Sequence, residues 1–169
     1  MGNKLDSQII SFFGSALSPV PASLLHDVEL PQETKDFLLS VGLPPGGSLL
    51  LTFYHSEITV VGERPSRFLI IGDDYGTRLG LQEPTGALYS LTWRSASVVG
   101  FINTSILTML LFLGIYMTQQ PALREATDEE AVAIVERMRI TFNDIDGSAL
   151  ANPDNWWYSI LEQTELGQL

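Results

Sequence analysis

The side chains best suited to chemistry in this 169-residue chain are two histidines and a pair of adjacent aspartates. A histidine titrates near neutral pH, and paired carboxylates can bind a cation or move a proton. His26 and His55 do not stand at a metal-binding spacing, and Asp73 and Asp74 lie in GDDYGTRLG, which has the residue types of a hairpin turn. A small hydrolase built on His55, Asp73 and Asp74 would need these side chains to converge in a pocket.

The sequence carries no recognisable catalytic or cofactor motif. It contains no cysteine, no GxSxG nucleophile motif and no phosphate-binding loop. NDIDG resembles part of a calcium loop, but aligning Gly147 with the glycine of that loop puts Phe142 at the first ligand position and Pro153 at the last. Neither supplies a carboxylate. We therefore predict no catalytic residue, no metal site and no cofactor, and a protein that is not an enzyme.

The charge of the chain bears on its partners. Twenty Asp and Glu residues against nine Lys and Arg give a net charge of −11, and from Glu125 onward only Arg137 and Arg139 are basic. Because phosphate binding needs a positive surface, nucleic acid is not expected as a direct partner. The acidic last third serves solubility, or it attracts a basic protein. Both interpretations remain open from charge alone.

The elements that must position these residues change type along the chain. Strand periodicity predicts strands near residues 48–54, 57–61, 67–72, 77–82, 87–93 and 98–103, mostly joined by short turns and therefore mostly antiparallel. Helices are predicted at 5–17, 32–41 and 105–117, after a capping box at Thr127–Glu130, and from Asn152–Pro153. This order predicts a single α+β domain over residues 1–169, with a central sheet of five to six strands flanked by helices.

The uncharged stretch from 95 to 123 is long enough to cross a bilayer. Asn103, Thr104 and Ser105 are capping residues in its middle, so the helix should begin there and not earlier. The remaining 13 or so residues would reach about 20 Å, short of the roughly 30 Å hydrocarbon core. No cluster of Lys or Arg flanks the stretch to orient insertion. We therefore expect a buried core helix and no membrane association.

Several short motifs follow one another in a recognisable order. They are GLP at 42–44, TGALYSL at 85–91 after the GDD turn, FINTS at 101–105, and a tail with Asp146, Ala149-Leu150, Asn152-Pro153, Trp157 and Leu161-Glu162. Together, from about Lys35 to the end, they resemble the SUKH superfamily of bacterial immunity proteins, its fourth group in particular. The resemblance implies an α+β fold and a cytoplasmic protein that binds and occludes a toxin of the nucleic-acid deaminase or nuclease type. It carries over no catalytic residue. Since superfamily members also serve in regulation, the alternative is a regulatory or scaffold domain without a toxin partner.

Aromatic and charged residues near strand ends and helix starts are the candidate partner contacts. Trp93 ends a strand beside Arg94, where it is either buried or an exposed anchor, and Trp156 and Trp157 cannot both face inward equally. Asn103 is either a helix cap or a contact residue. The predicted toxin-binding residues are Asp73, Asp74, Trp93, Arg94, Asn103, Glu129, Glu130 and Trp156.

Overall fold

The computed structural model describes residues 4–45, 49 and 51–169. Its α helices are α1 (Lys4–Phe13), α2 (Gln32–Ser40), α3 (Ile106–Glu125), α4 (Asp128–Asp146) and α5 (Trp156–Glu165). Its strands are β1 (Thr52–Phe53), β2 (Thr59–Val61), β3 (Phe68–Asp73), β4 (Arg78–Gln82), β5 (Leu88–Leu91) and β6 (Val98–Asn103). Residues 48 and 50 of the first predicted strand lie outside the described residues.

The six strands form one antiparallel sheet. Its order is β1-β3-β4-β5-β6, and β2 also pairs with β3. Short turns between successive strands explain the antiparallel pairing, since a parallel pair needs a long crossover. The predicted α+β fold with a central antiparallel sheet is confirmed.

Alternating side chains of β3 divide between the two faces of the sheet. Leu69 and Ile71 join the main core, which the helices complete, whereas Phe68 and Ile70 belong to a second, smaller cluster with Leu91. This follows from the two-residue period of a strand. The run FLII is apolar throughout because both faces of β3 are buried.

Helix α3 is longer than the sequence predicted. It runs over 20 residues, through Pro121, to Glu125, so at 1.5 Å per residue it reaches about 30 Å. Pro121 removes one backbone donor but does not end the helix, so the length argument against a membrane span was wrong. By length and composition α3 could cross a membrane. However, half of the residues in its most apolar 18-residue stretch are buried inside the fold. The buried residues lie between Ile106 and Tyr116, where α3 forms the centre of the core.

The starts of the last two helices test the capping predictions. Thr127 Oγ1 accepts a hydrogen bond from Glu130 N, and Glu130 Oε2 accepts one from Thr127 N, so the predicted capping box is confirmed. The predicted start of α5 was wrong, because the helix begins at Trp156, after Asn155. The Asn152 side chain does not cap the helix. Its Oδ1 atom accepts a hydrogen bond from Asp154 N within the turn that precedes α5.

Candidate functional site

Strand register brings two hairpin turns to the same end of the sheet. Asp73 pairs with Arg78, Arg78 with Leu91 and Leu91 with Val98, so the β3–β4 turn and the β5–β6 turn lie side by side. We call residues 73–77, residues 92–97 and the adjoining Val98 and Val99 the strand-end surface. It contains four of the eight predicted contact residues: Asp73, Asp74, Trp93 and Arg94.

Large apolar side chains on the strand-end surface face solvent. Tyr75 is 77% exposed and Trp93 is 49% exposed, and Val98 and Val99 are also more than half exposed. Trp and Tyr are the residue types that most often dominate protein–protein binding energy. Two side chains of these types, on neighbouring turns and with two exposed valines beside them, therefore suit a protein-binding surface. The exposed position of Trp93 agrees with the anchor interpretation, and the buried interpretation was wrong.

Polar side chains brace both turns. Asp74 Oδ1 accepts from Gly76 N at 3.1 Å, Thr77 N at 2.6 Å and Thr77 Oγ1 at 3.1 Å. In the second turn, Thr92 Oγ1 accepts from Ser97 N, and the Ser95 hydroxyl lies within hydrogen-bond distance of the hydroxyls of Thr92 and Ser97. These networks fix the turns before any partner arrives, which lowers the entropy cost of binding.

Backbone strain is concentrated at the same end of the sheet. Among the described residues, the non-glycine residues with positive φ are Leu49 (53°), Tyr75 (70°) and Ala96 (51°). Tyr75 and Ala96 lie in the two turns, and Leu49 precedes β1, whose Thr52 pairs with Asp73. Each left-handed residue costs of order 1 kcal/mol or more, and such strain persists where surrounding structure holds it and often marks functional sites.

The two predicted aspartates are held by side chains from other elements. Tyr54 OH donates to Asp73 Oδ2 at 2.5 Å, and Trp156 Nε1 donates to Asp74 Oδ2 at 2.9 Å. Burial, followed by the hydrogen bond to Asp73, raises the pKa of Tyr54 to about 12. The Trp156 bond ties the start of α5 to the β3–β4 turn, so a fifth predicted residue adjoins the strand-end surface.

Trp93 is held by a cation–π contact. The Arg78 guanidinium carbon lies 5.9 Å from the centroid of the Trp93 ring, and Arg78 Nη2 donates to Thr92 O at 3.3 Å. Such a contact contributes roughly 0.5–1 kcal/mol at an exposed site. It limits the motion of an otherwise exposed indole, as an interface anchor requires.

Asn103 lies inside the protein and not on the strand-end surface. It is fully buried, donates from Nδ2 to Asp146 Oδ2 at 3.0 Å, and accepts at Oδ1 from Trp157 Nε1 at 2.8 Å. Asp146 Oδ2 also accepts from Thr104 N and from the hydroxyls of Thr104 and Thr108. Ser105, and not Asn103, caps α3. Asn103 therefore joins β6, α4 and α5, and in this structure it cannot contact a partner.

Glu129 and Glu130 lie elsewhere, in the first turn of α4. Within the described ranges, no hydrogen bond or salt bridge connects either residue with the strand-end surface. The hydrogen bond from the Thr127 backbone, followed by that from its hydroxyl, lowers the pKa of Glu130. Glu130 therefore serves helix capping, whereas Glu129 is an exposed acid.

The residues of the hydrolase hypothesis do not assemble into a catalytic group. The Asp73 and Asp74 carboxylates accept hydrogen bonds from Tyr54 and Trp156, and in the described part of the chain neither bonds to His55. No group of three His, Asp or Glu side chains there could hold a metal ion. What the strand-end surface offers is aromatic and apolar contact area beside carboxylates, which suits binding.

Sequence reasoning missed Tyr75, Val98 and Val99. An aromatic residue inside the polar turn DDYGT was a usable signal, because turn positions usually carry small or polar side chains. The exposure of Val98 and Val99 could not be read from the sequence, since β-branched residues suit a buried strand equally well. They are exposed at the start of β6, whereas Ile102 and Asn103 at the other end of the same strand are buried.

Comparison with known proteins supplies the family. A model of the SUKH-4 immunity protein family matches residues 8–163, which is most of the chain. Comparisons with curated proteins and with solved structures give no match. The match includes β3 to β6, with both turns of the strand-end surface, and the buried network around Asn103. The chain belongs to the SUKH-4 immunity protein family.

Proposed function

We propose that this protein neutralises a cognate bacterial toxin by binding it at the strand-end surface and covering its active site. Family membership supports the immunity role. The observation that carries the assignment to this surface is the exposure of Tyr75 and Trp93 on adjacent, braced turns. A stable complex of this kind typically buries about 1,200–2,000 Å² in total.

Charge supports a basic partner. Eight of the ten acids from Glu125 onward are exposed, namely Glu125, Asp128, Glu129, Glu130, Glu136, Asp144, Asp154 and Glu162. In that segment Arg139 is paired with Glu165, so one of the two basic residues is already neutralised. A negative exterior accelerates association with a positively charged protein. Toxins that act on nucleic acids need a positive cleft, so we infer a deaminase or nuclease that this protein meets in the cytoplasm.

The mechanism in this proposal is occlusion, without catalysis by the immunity protein. A bound acidic domain excludes nucleic acid from a basic cleft in two ways: it occupies the space, and its field repels phosphate. The protein needs no cofactor for either effect. The mechanism requires a long-lived complex of one immunity protein with one toxin molecule.

Co-expression with the cognate toxin, which we expect to be encoded beside this protein, tests the proposal. Cells carrying the active toxin should survive only with the immunity protein, and the two chains should co-purify as a complex. Cell death despite soluble immunity protein, or survival without a complex, would overturn the proposal. Stable capture of an endogenous host protein, with no effect on the toxin, would favour the regulatory or scaffold alternative.

A further inference from the structure

A cavity of about 340 Å³ opens between α5 and the strand-end surface. Val99, Trp156 and Ile160 provide apolar and aromatic walls, and the carboxyl-bearing residues Asp74 and Asp154 also line it. We call this cavity the α5 recess. Its volume lies at the lower end of the range for small-molecule sites, which is sufficient for one long side chain of a partner.

Neither aspartate of the recess has a cationic partner within the described residues. Asp74 is held by backbone, hydroxyl and indole donors, all of them neutral. Asp154 is exposed, and its carboxylate accepts no hydrogen bond from the described part of the chain. Arg78, on the neighbouring strand, is directed to Thr92 and Trp93 instead. The recess therefore has a negative charge that the fold itself does not neutralise.

The apolar walls and the two carboxyl groups of the recess together suit one kind of ligand, a long cationic side chain. Long cationic side chains bury their methylene stems against apolar surface while the charged head reaches a polar partner. Trp156 is half-buried and its indole N–H is fixed on Asp74, so the ring is held in one orientation against the recess. Indole faces attract guanidinium groups, and carboxylates bind them with two parallel hydrogen bonds. Arginine satisfies these contacts better than lysine, which cannot form the paired bonds.

We propose that the α5 recess takes one arginine side chain of the toxin, with its stem along Val99 and Ile160 and its guanidinium group at Asp154 and Trp156. This inference rests on the proposed function, because it names the toxin residue that the strand-end surface anchors. Aromatic contacts at Tyr75 and Trp93 on the two turns would then supplement a charge-assisted contact at the recess. Truncating such an anchor usually has a far larger effect on affinity than truncating a neighbouring contact.

Affinity for the toxin provides the first test. Asp154→Asn should raise the dissociation constant about tenfold or more, and Asp144→Asn should change it less than about twofold. Asp144 is a matched control, since it is an exposed aspartate on α4 that does not line the recess. Equal effects of the two substitutions would overturn the recess inference, whereas the proposed function would stand if the wild-type protein still neutralises the toxin.

A second test does not need the toxin. N-acetyl-L-argininamide, titrated into the isotopically labelled protein, should shift the Trp156 indole N–H resonance, and the uncharged citrulline analogue should not. Asp154→Asn should abolish the shift. No shift with the arginine probe, or equal shifts with both probes, would overturn the recess inference. If the wild-type protein fails to bind the toxin, the proposed function is wrong. In that case this titration alone shows whether the α5 recess binds an arginine side chain.

Discussion

Replacing Asp146 by alanine should destabilise the protein strongly although the residue is not part of the strand-end surface and bonds to Asn103 at the other end of β6. Asp146 is 6% exposed, and its Oδ2 atom accepts hydrogen bonds from three side chains and one backbone N–H. Thr104 is exposed, so water can replace the hydrogen bonds that it loses. The single proton of the Thr108 hydroxyl can be donated to Ser105 O instead, which lies 3.0 Å away. Asn103 is fully buried and would retain an unsatisfied donor.

The magnitude follows from these partners. A buried donor left without an acceptor costs about 1–3 kcal/mol, and bonds to a charged acceptor contribute about 1.5–3 kcal/mol. Removing the charge also recovers part of its desolvation cost. We expect a net loss of about 2–4 kcal/mol in the free energy of unfolding. For a chain of this size, that lowers the melting temperature by about 5–15 °C.

Thermal and urea unfolding followed by circular dichroism provide the assay. Asp144→Ala is the control, because Asp144 lies one half-turn earlier on α4 and is exposed. Its effect should stay within about 0.5 kcal/mol, as is usual for a surface substitution. Near-ultraviolet signals should also change in Asp146→Ala, since Trp157 donates to Asn103. Equal stability of the two variants would refute the account of the buried network.

Three further predictions concern packing, pH and binding. Gly114→Ala should destabilise the protein in urea unfolding by about 1–3 kcal/mol, because the new methyl group would overlap Phe12 of α1; a stability gain, as for an open helix position, would contradict this. Burial and the Asp73 hydrogen bond raise the pKa of Tyr54 to about 12, so the unfolded state deprotonates first and stability should fall as pH rises above about 10. The same measurements on Tyr54→Phe should lack that part of the loss, and an unchanged pH dependence would contradict the raised pKa of Tyr54 and hence the combined effect of its burial and its Asp73 contact. Trp93→Ala should weaken toxin binding by at least about 2 kcal/mol, or about 30-fold by calorimetry, whereas Ile140→Ala at an exposed site on α4 should have little effect.

Local features of the fold could be predicted from the sequence. The capping box at Thr127 and Glu130 was predictable, because it joins residues three positions apart through contacts that require only those residue types. The strands with clear alternation, such as Leu88–Leu91, were also predictable. The end of α3 was not, because proline usually ends or kinks a helix, and no residue of α3 after Tyr116 is buried to mark a continuing apolar stripe.

Long-range features of the site could not be predicted in the same way. Asn103 and Asp146 are 43 positions apart, and nothing in either local pattern indicates that they meet. The FINTS motif could therefore be recognised in the sequence, but its physical role could not. In the structure, Asn103 and Thr104 of this motif donate hydrogen bonds to the Asp146 carboxylate at the end of α4. Likewise, the sequence predicted Asp74 and Trp156 as separate contacts, and only the fold brings them together at the α5 recess.

The most direct test of occlusion is a titration of the purified toxin with this protein while toxin activity on nucleic acid is measured. Our account predicts that activity falls in proportion to added protein and vanishes at one equivalent, and that half-inhibition by Trp93→Ala needs about 30 times more free protein than half-inhibition by the wild type. Full activity at an excess of wild-type protein would contradict toxin neutralisation. Complete loss at far less than one equivalent would contradict occlusion, since only a catalyst can inactivate many toxin molecules in turn.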